Sequence, residues 1–251
     1  MTSTFTLSDR RALVTGAAGG IGAAIVRQLS DAGARVALLD ISASHDRLMK
    51  LASELPGETI VLQADVTDEV ELEAAFERID ADFGGLDILV NNAGIARDED
   101  VFDITLSSWR AVVEVNMTGA FLCAKLAMQR FRDQGSGGRI VQIGSIVAHQ
   151  GALKGHLHYS ASKAALHGMS RTLARTGAPL GVTVNTVAPG LVRTPMIAQA
   201  HGDDPTLTAK IPLGRFAEPS EVAAAVHFLA SDAASYITGS VLDVNGGMYM
   251  R

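Results

Sequence analysis

The sequence contains one cysteine in 251 residues, which excludes an internal disulfide and is typical of a reducing, cytoplasmic setting. Aromatic residues make up only 5% of the chain, and no run of lysine or arginine offers a basic face to nucleic acid. We find neither the pattern of a signal peptide nor an unbroken apolar run of about 18 residues. We therefore expect a cytoplasmic protein with no nucleic-acid or membrane partner.

Small and apolar residues are abundant instead. The chain has 25 glycines, 47% hydrophobic residues, 19% charged residues and a formal net charge of −6. This composition is typical of a globular protein, and the length is compatible with a single α/β domain over residues 1–251. Cys123 lies in an apolar run, so we expect it to be a small core residue and not a reactive thiol.

Short apolar runs alternate with longer amphipathic ones along the whole chain. The runs predict seven strands over residues 11–15, 35–40, 59–65, 86–91, 139–145, 182–188 and 241–244. They predict helices over residues 20–33, 42–55, 68–83, 106–134, 159–178 and 219–231. Strands that are apolar throughout are buried on both faces, so this alternation predicts a Rossmann-type, doubly wound parallel sheet with helices on both faces.

One stretch, residues 190–217, does not fit this alternation. It is rich in proline and glycine and carries scattered apolar residues. Long irregular segments in compact domains are often functional lids, so we expect it to close over a substrate.

A glycine-rich stretch follows the first predicted strand. Gly16 permits the tight turn out of the strand, Gly20 lets backbone approach a pyrophosphate, and Gly22 lets the helix pack on the sheet. Ile21 lies between the last two glycines, and the helix that begins here presents free N–H groups to an anion. The spacing and placement favour a dinucleotide-binding loop over an ordinary glycine-rich turn.

The second predicted strand ends in Asp40, which lies 18 residues beyond Gly22. A carboxylate at this offset accepts hydrogen bonds from the ribose hydroxyls of NAD and repels the 2′-phosphate of NADP. Arg47 lies in the following helix, where we expect it to be in solvent. The sequence therefore favours NAD as the cofactor.

Tyr159 and Lys163 form a Tyr-x-x-x-Lys motif, and the chain here resembles the short-chain dehydrogenase/reductase family. The motif by itself has a modest risk of arising by chance. It occurs together with the family's other motifs, in the family's order. These are the Gly16–Gly22 pattern, Asp65-Val66, Asn91-Asn92-Ala93-Gly94, Asn116, Ser145, Pro189-Gly190 and Asp243-Val244-Asn245-Gly246-Gly247.

The resemblance implies where the cofactor would bind. Asp65 and Val66 would line the adenine pocket, and Asn91 and Gly94 would lie under the cofactor. The neighbouring asparagine amides would tie the central strands together. The remaining cofactor contacts that it implies are Asn92, Ala93, Tyr159, Lys163, Pro189, Gly190, Val192 and Thr194.

The resemblance also implies a catalytic set of Asn116, Ser145, Tyr159 and Lys163. Free tyrosine has a pKa of about 10, too high for an efficient base near neutral pH. Lys163 lies four residues on, on the same helical face, so its ammonium would favour the phenolate. Ser145 would orient the substrate oxygen, and in the family this asparagine holds a water in a proton relay.

Two departures from the family pattern stand out. The separation of Ser145 from Tyr159 is one residue longer than expected, which indicates an insertion in the loop over residues 148–158. This loop carries His149, His156 and His158. We expect these to line the pocket or the loop surface and not to bind a metal, since no ligand cluster is evident.

The second departure lies at Thr176 and Gly177, where relatives carry a glutamate and a larger apolar residue. In relatives this helix and the one over residues 106–134 form a dimer contact. We still expect a homotetramer, with that interface somewhat altered.

The sequence therefore predicts an NAD-dependent oxidoreductase acting on a small or medium secondary alcohol or ketone, with polyols, sugars and cyclic alcohols as candidates. A 3-oxoacyl-thioester reductase of fatty-acid synthesis is the alternative, which Asp40 disfavours because reductive biosynthesis generally uses NADPH. The third hypothesis is a non-catalytic, nucleotide-binding regulator, which the presence of all four catalytic residue types disfavours.

Overall fold

In the computed structural model, the chain forms one parallel sheet of seven strands, in the order β3-β2-β1-β4-β5-β6-β7. The structure describes residues 4–152, 154–195, 197 and 205–250. The strands are β1 (Arg11–Thr15), β2 (Arg35–Asp40), β3 (Thr59–Gln63), β4 (Ile88–Asn91), β5 (Gly138–Ile143), β6 (Val182–Pro189) and β7 (Val241–Val244). The strand order reverses between β1 and β4, so the predicted doubly wound architecture is confirmed.

Helices connect successive strands and cover both faces of the sheet. They are α1 (Gly20–Asp31), α2 (His45–Ser53), α3 (Glu69–Phe83), α4 (Leu106–Val113), α5 (Gly119–Gln134), α6 (Val147–Gln150), α7 (Leu157–Gly177), α8 (Pro205–Thr208) and α9 (Pro219–Ala230). Every long helix that the sequence predicts is present. Their ends agree with local chemistry, since the Asp68 carboxylate caps α3 and Gly84 ends it in a left-handed conformation.

Three predicted strands differ by two residues at one end: β3 and β5 end two residues earlier than predicted, and β4 begins two residues later. β3 ends at Gln63 because the Asp65 carboxylate accepts hydrogen bonds from the backbone N–H and hydroxyl of Thr67, which turns the chain. β5 ends at Ile143, two residues before Ser145. Asp65 and Ser145 therefore lie in the turns beyond the strand ends.

Alternate residues of each strand enter different core layers, as the period of two requires. Ala12 and Val14 pack with α1, α2 and α9, whereas Leu13 packs with α3 and α5 on the opposite face. Cys123 is fully buried in the second layer, and burial raises the pKa of its thiol to about 12. The prediction that it is a core residue is confirmed.

The predicted helix over residues 106–134 is continuous, but it is not α-helical throughout. A π-helical turn, Glu114–Thr118, joins α4 to α5. By length and composition the combined helix could cross a membrane, a possibility that a search for unbroken apolar runs missed. Half of its most apolar window is buried inside the molecule, with Cys123 and Phe131 in the core. Burial of this kind is what a core helix of a globular domain shows.

The predicted lid segment is anchored at both ends. Val192 forms a bridge with Ala217, and the N–H of Leu213 donates to the carbonyl of Gly246 over 3.1 Å. The segment includes the short helix α8. Residues 196 and 198–204, on which part of the lid prediction falls, lie outside the described residues, so closure over a substrate stays a prediction.

The start of α5 packs closely against the residues that follow β3, at the carboxyl edge of the sheet. A Cβ added to Gly119 would lie 2.6 Å from Cγ2 of Val66, where no real Cβ fits. We expect Gly119→Ala to lower the free energy of unfolding by about 1–3 kcal/mol through overpacking. Gly168→Ala is the matched control, because nothing lies within 4 Å of the added Cβ on α7.

This control should raise the free energy of unfolding by up to about 1 kcal/mol, since alanine favours the helix. Urea denaturation of the two variants beside the wild type checks both values. A Gly119→Ala protein as stable as Gly168→Ala would show that Val66 moves aside without cost.

Candidate active site

A cleft of about 680 Å³ runs along the carboxyl edge of the sheet, where ligands bind in open α/β folds. Loops after successive strands bring most of the predicted site residues to it. The lining residues that the sequence predicted are Gly16, Gly20, Ile21, Asp40, Asp65, Val66, Asn92, Ala93, Gly94, Ser145, Tyr159, Lys163, Pro189, Gly190, Val192 and Thr194. Gly22 and Asn116 lie behind this lining.

The glycine loop between β1 and α1 has the geometry that its residues require. Gly16 and Gly20 have φ angles of +65° and +55°, which L side chains rarely adopt. A Cβ added to Gly22 would lie 2.1 Å from the carbonyl oxygen of Gly16, so only glycine lets the helix start this close to the strand. No side chain caps the first turn of α1, whose N–H groups remain available to an anion.

Asn92 and Thr15 join the ends of β1 and β4 below this loop. The Asn92 amide donates to the carbonyls of Thr15 (3.0 Å) and Gly16 (2.9 Å). The Thr15 hydroxyl accepts from the backbone N–H groups of Asn92 and Ala93, both at 3.1 Å. These bonds hold the two strand ends together at the point where the strand order reverses.

Asp40 lies at one end of the cleft, and its carboxylate also supports the glycine loop. Oδ2 accepts from the N–H of Ala18 (3.0 Å) and Oδ1 from the N–H of Ile41 (2.9 Å). Arg47 is exposed, as predicted, but it also lines the cleft and donates to the Ser44 hydroxyl over 2.6 Å. A cation in the same cleft as Asp40 was not predicted, because residue spacing along the chain does not show which side chains of α2 reach the cleft.

Segments after β6 complete the wall opposite the glycine loop. Gly190 packs against β7, since a Cβ there would lie 2.9 Å from Cα of Asn245. Thr194 faces the glycine loop, with its Cγ2 3.6 Å from a Cβ placed on Gly20. The cleft thus extends from Asp40 and Asp65 to Ser145 and Tyr159. Thr194 lines it between these two ends.

Ser145 and Tyr159 meet at the other end. Burial raises the pKa of Tyr159 above its ordinary value, and a hydrogen bond with the Ser145 side chain opposes that rise. The Ser145 hydroxyl also accepts a 3.3 Å bond from the N–H of Val147. A phenol and a hydroxyl paired in this way can together bind one substrate oxygen.

Lys163 lies below Tyr159 on the same face of α7, with its Nζ 5.7 Å from the centre of the phenol ring. The ammonium is buried and donates to the carbonyl of Ile143 at the end of β5, over 2.8 Å. Burial lowers the pKa of Lys163 to about 8. Gly94 makes room for it, because a Cβ there would lie only 3.3 Å from Nζ.

Asn116 is buried in the π-helical turn. Its Oδ1 accepts from the N–H of Ile95 (2.8 Å), and its Nδ2 donates to the Ile95 carbonyl (2.9 Å) and to the Ser162 hydroxyl (3.0 Å). Its Oδ1 would lie 3.2 Å from a Cβ on Gly94, on the same side as Nζ of Lys163. The π-helical turn is thus joined to α7 by the hydrogen bond from Asn116 to Ser162.

Two of the three loop histidines, His149 and His158, differ from the prediction that they line the pocket or the loop surface, whereas the partly exposed His156 agrees with it. His149 is absent from the cleft lining: it bonds to Asp243 (Nε2 to Oδ1, 2.9 Å) and stacks on Tyr249. His158 is fully buried, so its assignment to a loop surface or pocket wall was wrong. His156 bonds to the carbonyl of Arg97 over 2.7 Å. Among the residues described, no group of three or more potential ligands is arranged to hold a metal ion.

The cleft fits an extended dinucleotide. Its glycine loop has room for backbone approach, the start of α1 offers N–H groups to phosphate, and Asp40 offers acceptors at one end. At the other end, Gly94 has no side chain that could cover the Lys163 ammonium.

Comparison with known proteins agrees with this geometry. Residues 16–249 match the family model described as "Enoyl-(Acyl carrier protein) reductase". The fold and the matches together place the chain in the short-chain dehydrogenase/reductase family, to which it belongs, and define an oxidoreductase with a nicotinamide dinucleotide cofactor.

The relatives in this family include two kinds of enzyme. The chain is 41% identical to cis-4-hydroxycyclohexanecarboxylate dehydrogenase of Sinomonas cyclohexanicum, with 96% of each chain covered. It is 43% identical to the 3-oxoacyl-[acyl-carrier-protein] reductase FabG of Escherichia coli K12, covering 95% of this chain and 97% of that one. A short-chain type dehydrogenase/reductase from Mycobacterium marinum has the same fold, with a TM-score of 0.94, 34% identity, and 99% and 98% of the two chains covered.

The buried ammonium predicts how stability depends on pH. The pKa of Lys163 is lowered to about 8 in the folded chain from 10.5, so the unfolded chain binds more protons between these values. The cost of burying the charge is fully present below pH 8 and is relieved as the pH rises. Between pH 7.5 and 9.5 we expect Lys163 to add about 2 kcal/mol to the free energy of unfolding.

Urea denaturation of the wild type and Lys163→Met at both pH values measures this contribution. The buried Cys123 thiol, whose pKa is raised to about 12, lowers stability at high pH in both proteins, so its effect cancels in the difference. Equal pH dependence of the two proteins would contradict a buried, charged Lys163.

Proposed function

We propose that the protein is an NAD-dependent oxidoreductase that moves hydride between nicotinamide and a small or medium secondary alcohol or ketone. The observation that carries the proposal is that Ser145, Tyr159 and the buried Lys163 line the same cleft, with Nζ of Lys163 5.7 Å from the centre of the Tyr159 ring. This arrangement offers one substrate oxygen two hydroxyl groups, with a cation close behind them.

Tyr159 is the acid/base in this proposal. Its raised pKa keeps the phenol protonated near neutral pH, ready to donate a proton to a ketone oxygen. In the oxidation direction the phenolate must form, and positive charge nearby favours it. Ser145 orients the substrate oxygen by a hydrogen bond.

Lys163 supplies that positive charge. With a pKa of about 8, its ammonium is mostly protonated at neutral pH yet close enough to titration to exchange protons. It also faces the space over Gly94, where it would hold the nicotinamide ribose. The Asn116 side chain bonds to both backbone groups of Ile95, the residue after Gly94. We assign Asn116 to the proton relay.

When bound, the dinucleotide accepts or donates the hydride. We infer a preference for NAD from Asp40, whose carboxylate would accept the ribose hydroxyls and repel a 2′-phosphate. Arg47, which lines the same cleft, favours NADP instead, because a guanidinium pairs well with the 2′-phosphate. Asp40 ends β2 itself, whereas Arg47 reaches the cleft by a long side chain, so we give Asp40 the larger effect.

The relatives support two substrate classes. A cyclic hydroxy acid dehydrogenase supports a cyclic secondary alcohol, and the 3-oxoacyl-thioester reductases support the alternative. Assaying NADH formation with a panel of cyclic alcohols, polyols and sugars, beside NADPH consumption with an acetoacetyl thioester, separates the two. We expect the larger kcat/KM with NAD and an alcohol.

We further propose that the protein is a cytoplasmic homotetramer.

Removal of the phenol hydroxyl tests the catalytic assignment. Tyr159→Phe should lower kcat by about 10²–10⁴-fold, the range of general acid–base catalysis, because no other group in the proposal moves the substrate proton. Binding of NAD should be nearly unchanged, as measured by fluorescence titration. A Tyr159→Phe enzyme that keeps most of its kcat would remove the assignment.

Substitutions at the other end of the cleft test the cofactor preference. Asp40→Ala should lower kcat/KM for NAD about tenfold to a hundredfold, through loss of charge-assisted hydrogen bonds, and should raise it for NADP. Arg47→Ala is the matched control and should leave kcat/KM for NAD within about twofold. A wild-type preference for NADP that Arg47→Ala abolishes would reverse the assignment.

A further inference from the structure

A buried histidine stands directly before the proposed acid/base residue. The side chain of His158 is fully buried, and its Nε2 lies 3.2 Å from Oε2 of Glu99. Its other ring nitrogen, Nδ1, lies 3.0 Å from the backbone nitrogen of Tyr159. Both ring nitrogens therefore have partners, and one of these partners is the residue proposed to move the substrate proton.

These partners fix the protonation of the ring. A backbone N–H can only donate, so Nδ1 must accept and carry no hydrogen. The hydrogen of the neutral ring is then on Nε2, where it points to a carboxylate oxygen that can only accept. A protonated ring would place an Nδ1–H against the Tyr159 N–H, so this geometry needs the neutral ring.

Glu99 is itself held in place. Its carboxylate accepts a hydrogen bond from the Ser108 hydroxyl in α4, and this bond lowers the pKa of Glu99. Arg97 also donates to the Ser108 oxygen over 3.0 Å. The acceptor that faces His158 is thus an ionised group fixed to a helix of the scaffold.

A second contact joins the same two segments. His156 Nδ1 bonds to the carbonyl of Arg97 (2.7 Å), and its backbone is left-handed, with φ +56°. Asparagine, aspartate and histidine adopt this conformation more readily than other non-glycine residues. The start of α7 is therefore attached to residues 97–99 on both sides of Leu157.

The other end of this segment reaches the relay residue. Both backbone groups of Ile95 bond to the Asn116 side chain, which also donates to Ser162 on α7. Residues 95–99 consequently connect Asn116, at one end, to the first turn of α7, at the other. This segment directly follows Gly94, which lines the cleft next to Lys163.

We propose that His158 is a positioning residue, whose neutral ring links the backbone N–H of Tyr159 to the Glu99 carboxylate and so fixes the phenol relative to Ser145. This proposal rests on the proposed role of Tyr159 as acid/base. His158 touches neither substrate nor cofactor in it. Its contribution should therefore fall on kcat, which depends on the placement of the phenol, and little on the KM values.

Two substitutions separate the two hydrogen bonds of the ring. His158→Asn places an oxygen where Nδ1 stands, so it keeps the acceptor for the Tyr159 N–H and loses the donor to Glu99. His158→Gln places an amide nitrogen near Nε2, so it keeps the donor and loses that acceptor. We expect each variant to lower kcat about tenfold, with both KM values within twofold of wild type, because each one breaks the link between the Tyr159 N–H and Glu99 at one of its two ends.

Glu99→Ala tests the same link from its partly exposed end, where folding is less at risk. It leaves the ring N–H without its acceptor, and we expect a fall in kcat similar to that of His158→Gln. If Glu99 and His158 act through the same hydrogen bond, an enzyme that carries both Glu99→Ala and His158→Gln should have a kcat no lower than that of the slower single variant. Thermal melting and NAD titration identify variants that fold and bind.

Nuclear magnetic resonance provides a readout apart from activity. In long-range ¹H–¹⁵N spectra of the ¹⁵N-labelled wild type, we expect His158 as a neutral ring with its hydrogen on Nε2; loss of the signal in His158→Asn assigns it. A ring with its hydrogen on Nδ1 would overturn the proposal. So would a folded His158→Gln enzyme with wild-type kcat, provided that Tyr159→Phe is inactive. If Tyr159→Phe is active, the proposed function has failed instead.

Discussion

The burial of the Lys163 ammonium is the constraint on which this end of the molecule depends. A charged group inside a protein is costly unless it is hydrogen-bonded, and here the end of β5 supplies a carbonyl. Gly94 leaves space above the ammonium, and the π-helical turn carries Asn116 to the same place. Burial lowers the pKa of Lys163 to about 8, and the Tyr159 ring lies 5.7 Å from its Nζ.

The chain that follows Gly94 has a second role in this arrangement. Its backbone satisfies the Asn116 amide, and its Glu99 carboxylate faces His158 at the start of α7. A segment that is irregular by secondary structure is thus fixed at both ends by side chains from two helices. The segment therefore connects the π-helical turn that carries Asn116 to α7, the helix that carries both Tyr159 and Lys163.

Much of the fold could be predicted, because buried parallel strands and amphipathic helices leave strong periodic patterns. All seven strands and the long helices are where those patterns predict them, with errors of a few residues at their ends. The errors arise where side chains compete with the backbone ladder, as Asp65 does beyond β3. The π-helical turn left no signal, because its residues fit the period of an α-helix almost as well.

The class of this protein could be predicted from the sequence, since the glycine loop and the Tyr159–Lys163 spacing depend only on local geometry. Which groups meet across the chain became clear only from the folded structure. His158 and Glu99 lie 59 residues apart, and the residue pattern had predicted a loop histidine. The approach of Arg47 to the cleft was missed for the same reason. Such contacts depend on how helices pack on the sheet, and residue spacing along the chain does not contain that information.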